Sequence, residues 1–492
     1  MKAIIPVLDE KSKRPYYLQL YDYIKDAIVA GEVNFGEKLP SLRSLAKSLK
    51  LSITTINLAY SQLLVEGYIF SKPNSGYFVG NIAINDINTK NGIFMKASEI
   101  AAIRESREGR EVGEIRTEFD LNFGATQVQE QQSFLPSQYD LSCFDFNKWK
   151  KCSNKILTEY PYLLLTESEP QGEYNLRHEI SKYLYRARGV ICSPSQIVIG
   201  AGTQQITSQL CLLLSKMQIN HVTVEDPCYL PVKNIFRDRG FMLNSVSISA
   251  SGIDIRKLKA DMKSAVYVCP SNQFPTGAVM PIGKRYELLE WANRNDSIII
   301  EDDYDSELRY FGKPIPALKG LDVNNNVVYL GSFSSTLFPA IKISYMVLPE
   351  RLSEVFELLK NDYTQTCSKA EQLTLALFME LGYYQINIKK LRNLYSQKLQ
   401  TVLNFINSNA RGLITPVNTF SGINMILTVN SNKSTDVLCE EANEVGLSVV
   451  PISIYTDEFK SNTKALIFYY NQIPLELIDE MLKALVSKWF TV

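Results

Sequence analysis

Ser297-Ile-Ile-Ile-Glu-Asp-Asp-Tyr-Asp-Ser-Glu307 joins a short apolar run to a dense group of carboxylates. The run reads as a strand buried on both faces. Four others have the same character: Gln196-Ile-Val-Ile-Gly, His221-Val-Thr-Val-Glu, Ala265-Val-Tyr-Val-Cys and Asn326-Val-Val-Tyr-Leu-Gly. Helical segments fill the spacers, which predicts an α/β domain with a mostly parallel sheet and helices on both faces. Ligands in such folds sit beyond the carboxyl ends of strands, so the residues just after each run are the ones to weigh. In isolation, Glu301 to Glu307 would read as a solvated acidic turn.

At 492 residues the chain is longer than one hydrophobic core usually serves, so two or more domains are expected. Hydrophobic residues at 45% and charged residues at 21% describe an ordinary globular protein. Lys+Arg and Asp+Glu both number 52, so the whole chain has no electrostatic bias toward nucleic acid. Its eight cysteines are scattered without a CxxC pair, and only His178 and His221 could join them, which argues against a zinc site. Single scattered cysteines suit a reducing compartment. The N-terminus lacks the apolar stretch of a signal peptide and no run approaches membrane-spanning length, so a cytoplasmic location is expected.

The first 80 residues differ. They hold 10 Lys/Arg against 7 Asp/Glu, a net +3, with Lys38, Arg43, Lys47 and Lys50 in a run free of acids. Leu20, Ile24, Ala27 and Ile28 give helical spacing to Tyr16 through Ala30. Ser41 can cap a second helix with Leu42, Leu45, Ala46 and Leu49 on one face, and Ser52 a third with Ile56, Ala59, Tyr60, Leu63 and Leu64 inside. Gly67 stops the third helix. Tyr68-Ile-Phe and Gly76-Tyr-Phe-Val flank a polar Lys72-Pro-Asn-Ser tip, a two-stranded wing. Helix, helix, turn, helix and hairpin make a winged helix-turn-helix.

Leu39-Pro-Ser-Leu-Arg-Ser-Leu-Ala46 and Ala59-Tyr-Ser-Gln-Leu-Leu-Val-Glu-Gly67 resemble the two signatures of the GntR family. The resemblance implies a double-stranded DNA operator as partner. The third helix would enter the major groove, with Ser52, Thr54, Thr55 and Asn57 near base edges. Arg43 and Lys47 would hold phosphates, with Lys72 and Asn74 reaching from the wing. One departure matters: the family usually has an arginine after the capping serine, where this chain has Ile53. Losing that cation should flatten the salt dependence of binding.

Nearly the whole chain from Phe119 onward resembles a fold-type I aminotransferase, in the arrangement of MocR-type GntR regulators. Glu169-Pro-Gln-Gly172, Leu176-Arg177, Arg188-Gly-Val190 and Gly200-Ala-Gly-Thr-Gln-Gln205 carry the likeness, as do Glu225-Asp-Pro-Cys-Tyr229 and Pro270-Ser-Asn-Gln-Phe-Pro-Thr-Gly277, where Asn272 replaces the usual histidine. By that resemblance Gly202, Thr203 and Gln204 open a helix that cradles a phosphate, and Tyr229 stacks on a pyridine. Asp302 bonds the ring nitrogen and Tyr304 the 3′-oxygen, while Ser332, Ser334 and Lys342 complete the phosphate site. The implied layout is a winged helix-turn-helix over 12–80, a linker over 81–118, a large domain over 119–369 and a smaller α+β part over 370–492. A head-to-tail homodimer is implied too, the head of one chain on the large domain of the other.

Pyridoxal phosphate enzymes hold their aldehyde on a lysine as a Schiff base. In Gly331-Ser-Phe-Ser-Ser-Thr-Leu-Phe-Pro339, Ser335 stands where that lysine belongs, and a hydroxyl cannot form an imine. Lys342 replaces the phosphate-binding arginine without its bidentate fork. Pro231 replaces a second arginine, and Gln472 aligns with the arginine that clamps a substrate carboxylate. Four changes that weaken one pocket for anions imply a domain without transaminase activity. The expected function is sequence-specific control of transcription. Pyridoxal phosphate would bind at most noncovalently, as itself, as a preformed adduct or as pyridoxamine phosphate, and a cofactor-free dimer scaffold is the competing view. An active aminotransferase with a regulatory head is the reading that Ser335 opposes.

Overall fold

The computed structural model describes residues 15–30, 32–49, 51–72, 76–80, 141–259, 262–310, 316–457 and 464–490. The expected linker and the wing-tip residue Asn74 lie outside these residues.

The head consists of α1 (Tyr16–Val29), α2 (Leu42–Leu49) and α3 (Ile53–Glu66), then β1 (Ile69–Lys72) and β2 (Gly76–Val79), paired antiparallel. Its caps are local chemistry. The Ser41 hydroxyl accepts from the Ser44 N–H at 3.2 Å, and the Ser52 hydroxyl from the Thr55 N–H at 3.0 Å. Gly67 closes α3 in the left-handed region at φ 79°, where a Cβ would cost energy. Leu20, Ile24, Leu45, Ile56, Tyr60 and Leu63 form the core under the wing, and Ile282 of the following domain belongs to the same cluster. A Cβ on Gly67 would meet that of Pro281 at 3.0 Å, so the head seats directly on the segment before Ile282. Glu66 is buried near this seam, bonded by Tyr21 at 2.5 Å and Gln62 at 3.0 Å. Burial pushes its carboxyl upward, and the bonds from Tyr21 and Gln62, then nearby Arg285 and Arg309, counter the shift.

The large domain begins with α4 (Phe146–Glu159) and α5 (Tyr174–Arg188), and its sheet is threaded through helices. In chain order come β3 (Ile197–Gly200), α6 (Thr203–Lys216), β4 (His221–Asp226), α7 (Leu230–Asp238), β5 (Met242–Ser249), β6 (Gly252–Ile253) and β7 (Ala265–Val268). Then follow α8 (Ile282–Arg294), β8 (Ile298–Asp302), β9 (Val327–Ser332), β10 (Ser344–Val347) and α9 (Glu350–Leu359). The strand order is β3-β10-β9-β8-β7-β4-β5-β6. From β9 through β5 the neighbours run parallel, whereas β10 is antiparallel to both β3 and β9. All five expected strands are present. Ile199, Tyr329 and Tyr345 pack to one face, where α5 lies, while Val198, Val224, Ile300 and Leu330 pack to the other against α6, α7 and α9. A second cluster, around Val266, Ile299 and Leu288 of α8, extends the first face.

Beyond α9, α10 (Lys369–Glu380) packs into the cluster of the large sheet through Leu375, Phe378 and Met379. The long α11 (Tyr383–Asn409) starts in that cluster and from Leu391 onward joins a separate C-terminal core. There β11 (Ile414–Val417), β12 (Met425–Val429), β13 (Val449–Pro451) and β14 (Lys464–Phe468) form an antiparallel sheet in the order β11-β12-β14-β13, with α12 (Thr435–Glu444) and α13 (Ile478–Phe490) against it.

Gly331 is a tight point inside the large sheet. A Cβ there would lie 2.3 Å from Cζ of Tyr345 on the neighbouring β10. Gly331→Ala is therefore expected to part β9 from β10 and cost about 1–3 kcal/mol, read as a lower urea midpoint.

Candidate functional site

Two surfaces carry the candidates. On the head, Arg43 and Lys47 of α2 are exposed, as are Ser52, Thr54 and Asn57 around the first turn of α3. Thr55 is half-buried and its hydroxyl lies 2.8 Å from that of Ser52. Those two hydroxyls are shared within the cap, which leaves Thr54 and Asn57 as the outward polar groups of the turn. Ile53, between Ser52 and Thr54, is 50% exposed. Lys72 is exposed on the wing, with its ammonium 5.0 Å from the centre of the Phe78 ring. The structure thus gathers Arg43, Lys47, Ser52, Thr54 and Asn57 on two consecutive helices, with Lys72 on the strand that leads to the wing tip.

The second surface is a cavity of about 500 Å³ at the carboxyl ends of the strands. Gly202, Thr203, Gln204, Tyr229, Asp302, Tyr304, Ser332, Ser334, Ser335 and Lys342 all line it. At one end lies the N-terminus of α6. Gly202 precedes it at φ 85°, and a Cβ on this residue would meet the Lys342 side chain at 3.9 Å. The Gly202 N–H is committed to the Gly200 carbonyl at 2.8 Å. This corrects the expectation that the Gly202 amide serves a phosphate: Thr203 and Gln204 supply the first-turn N–H groups that lack an intrahelical acceptor. Ser332 accepts from Ser344 at 3.0 Å.

At the other end lies the acidic stretch, and its burial excludes the solvated turn. Glu301 accepts from the Leu318 and Lys319 N–H groups, both at 2.7 Å. Asp303 is gripped by Arg188 through two bonds of 2.6 and 2.7 Å, and Glu307 accepts from Tyr183 at 3.0 Å. Asp302 accepts from the Tyr267 hydroxyl and faces the cavity. Burial raises its pKa to about 6 against the lowering effect of that bond. Asp305 also lines the cavity, at φ 56°, and both its oxygens are buried without a hydrogen-bond partner. Burial pushes it up to about 7; the Ser335 hydroxyl and the Ile423 N–H come near enough to oppose this without closing a bond.

Several lining residues were given no role from sequence. Tyr267 could have been noticed, because a tyrosine in a buried strand needs a partner for its hydroxyl. Phe274 crosses Tyr229 edge-to-face at 5.6 Å and Tyr304 at 5.9 Å, forming the aromatic wall. Asn424 and Tyr469 come from the C-terminal part, 82 and 127 residues beyond Lys342, and leave no local signal. Gln472 is exposed and does not line the cavity, so it does not stand where a carboxylate clamp would act. Its neighbour Tyr469 takes the wall instead, because the chain turns into a short 3-10 segment after β14. Asn272 is buried beside Ser421, which donates to it at 3.1 Å, outside the lining.

Residues 16–79 match the bacterial regulatory proteins of the gntR family, and residues 151–457 the aminotransferase class I and II family. The HTH-type transcriptional regulator YdeL of Bacillus subtilis is 35% identical over 487 residues, 99% of this chain and 99% of that protein. A Rhizobium meliloti protein named "Probable rhizopine catabolism regulatory protein MocR" is 27% identical over 91% of this chain and 88% of its own. Kynurenine aminotransferase of Pyrococcus horikoshii shares the fold with a TM-score of 0.62, at 23% identity over 71% of this chain and 88% of that one. Among the described residues no helix is long and apolar enough to cross a membrane. The chain belongs to the HTH-type transcriptional regulators, DNA-binding proteins in which a gntR-family head is joined to an aminotransferase class I and II domain.

Proposed function

We propose that this regulator controls transcription in response to a small molecule held noncovalently in the cavity of its aminotransferase-like domain. The observation that carries this reading is the polarity of the cavity: an anion cradle of Lys342, Thr203 and Gln204 at one end, buried Asp302 at the other, aromatic rings between. Such a donor set fits a phosphate-bearing pyridine. Thr203, Gln204, Ser332, Ser334 and Lys342 would hold the phosphate, Asp302 the ring nitrogen and Tyr304 the 3′-oxygen, with Tyr229 against the ring face. Bound in an enzyme, such a group supplies an electron sink. Here Ser335 occupies the position of the lysine that carries it, and Lys342 lies at the anion end, so the domain acts as a sensor and not as a transaminase.

The working unit is a homodimer in which the head of each chain takes the seat beside Pro281 and Ile282 on its partner, the same seat that it occupies on its own large domain in the single chain. Exposed Tyr160, Tyr162 and Leu165, the last 86% accessible, give an apolar surface for a second chain. Paired heads would read paired half-sites on an operator. Its reducing, cytoplasmic setting is part of the same reading, in keeping with eight free cysteines.

The test is absorbance of the protein after incubation with pyridoxal phosphate, before and after borohydride and gel filtration, alongside calorimetry. Expected are a binding isotherm and no reduced adduct retained on the chain. A retained, reducible chromophore would reopen the transaminase reading, with Lys342 as the first residue to replace.

A further inference from the structure

Five carboxylates lie between Glu301 and Glu307, and they are not equivalent. Three are answered by the protein: Glu301 by two backbone N–H groups, Asp303 by a guanidinium and Glu307 by a phenol. Asp302 has the Tyr267 hydroxyl. Asp305 has no hydrogen-bond partner among the described residues, although it is only 3% exposed and turned into the cavity next to Ser335. A buried carboxylate without a donor is unfavourable in the empty protein, and the chain bends into the left-handed region at this residue. Among the described residues the lining supplies no cation at this end, since Lys342, the only Lys or Arg among them, stands beside Gly202 at the α6 end. What is missing beside Asp305 is a group with several N–H donors and a positive charge.

We infer that the molecule this cavity takes carries a primary ammonium, which sits between Ser335 and Asp305, and an anionic group at the Lys342 end. This rests on the noncovalent reading above and sharpens it. Among forms of one pyridine phosphate, an aminomethyl substituent meets the requirement. A hydroxymethyl group offers one neutral donor, and an aldehyde offers an acceptor to an acceptor. The ammonium keeps its bonds to carbon throughout; no step is chemical. Asp305 is a specificity-determining residue, paired with the ligand as an ion pair that water cannot screen.

Pyridoxamine phosphate and pyridoxine phosphate isolate the effect, because they share ring and phosphate and neither can condense with the protein. Titration calorimetry on the full-length protein, in a buffer free of amines and phosphate, should show the amine binding tighter by roughly 10- to 100-fold. In Asp305→Asn the preference should fall to within about 3-fold while binding of the alcohol persists. Ser335→Lys brings a built-in ammonium to Asp305 and should erase the preference as well, which keeps the test open if Asp305→Asn folds poorly. Equal affinities of the wild-type protein for both probes would overturn the ammonium assignment alone. No heat with either probe would overturn the vitamer reading and the assignment with it.

Discussion

Arg188→Ala is expected to destabilise the large domain by about 3–5 kcal/mol, the cost of stripping one partner from a fully buried ion pair. Arg188 is 1% exposed at the end of α5, and its guanidinium meets both oxygens of Asp303 and the Ser271 hydroxyl at 2.8 Å. Asp303 is further bonded by Tyr329 at 2.5 Å and Ser306 at 3.0 Å. Alanine leaves that carboxylate in place with its charge unanswered, and no solvent can reach it. Differential scanning calorimetry should show the domain melting lower by roughly 2–4 °C per kcal/mol lost. Arg188→Lys should recover only part, since an ammonium cannot span two carboxylate oxygens and a hydroxyl in one plane. The effect reaches function because Asp303 adjoins Asp302: the same lock that holds the sheet end also fixes the cavity floor. A melt within 1 °C of wild type would show that the pair is not what anchors the acidic segment.

The strands that line this lock were legible because burial on both faces leaves an unmixed apolar run, as in Ile298 to Ile300 or Val327 to Leu330. Those that escaped notice lack that signature. Met-Leu-Asn-Ser-Val-Ser-Ile-Ser of β5 lies near the sheet edge, is only half-buried along most of its length and mixes polar residues into the pattern. Ser-Tyr-Met-Val of β10 is fully buried but four residues long and antiparallel, so nothing in its spacing to β9 signals a crossover. The head was easier: Ser52, Gly67 and the apolar stripe between them are purely local chemistry.

The cavity divides in the same way. Residues placed at strand ends, such as Asp302, Tyr304 and Ser332, follow from the topology once the strands are known. Asp305 was in plain view within the acidic stretch, yet which of five acids lacks a partner depends on Arg188, Tyr183 and two amides at Leu318 and Lys319, all distant in sequence or unassigned. The Gly202 amide illustrates the opposite failure. A glycine before a helix reads as an anion donor, but the turn folds its N–H back on Gly200.

Ile53→Arg is expected to strengthen operator binding and steepen its dependence on salt. Ile53 is 50% exposed on the first turn of α3, flanked by exposed Ser52 and Thr54, and contributes nothing to the core of the head. Substitution there should leave stability within about 0.5 kcal/mol. Each added phosphate contact raises the slope of log K against log salt by about 0.9, so two heads of the proposed dimer add about 1.8. Between 50 and 200 mM salt that amounts to a gain shrinking by roughly 12-fold, measurable by fluorescence anisotropy. Phosphate contacts carry no sequence information, so operator and random duplex should gain alike. Arg43→Ala should do the reverse, lowering the slope by a similar amount per contact and weakening both duplexes together. An unchanged slope with a loss confined to the operator would place Ile53 against a base, where its side chain meets a thymine methyl, and would move the sequence readout one residue closer to the helix start than Thr54.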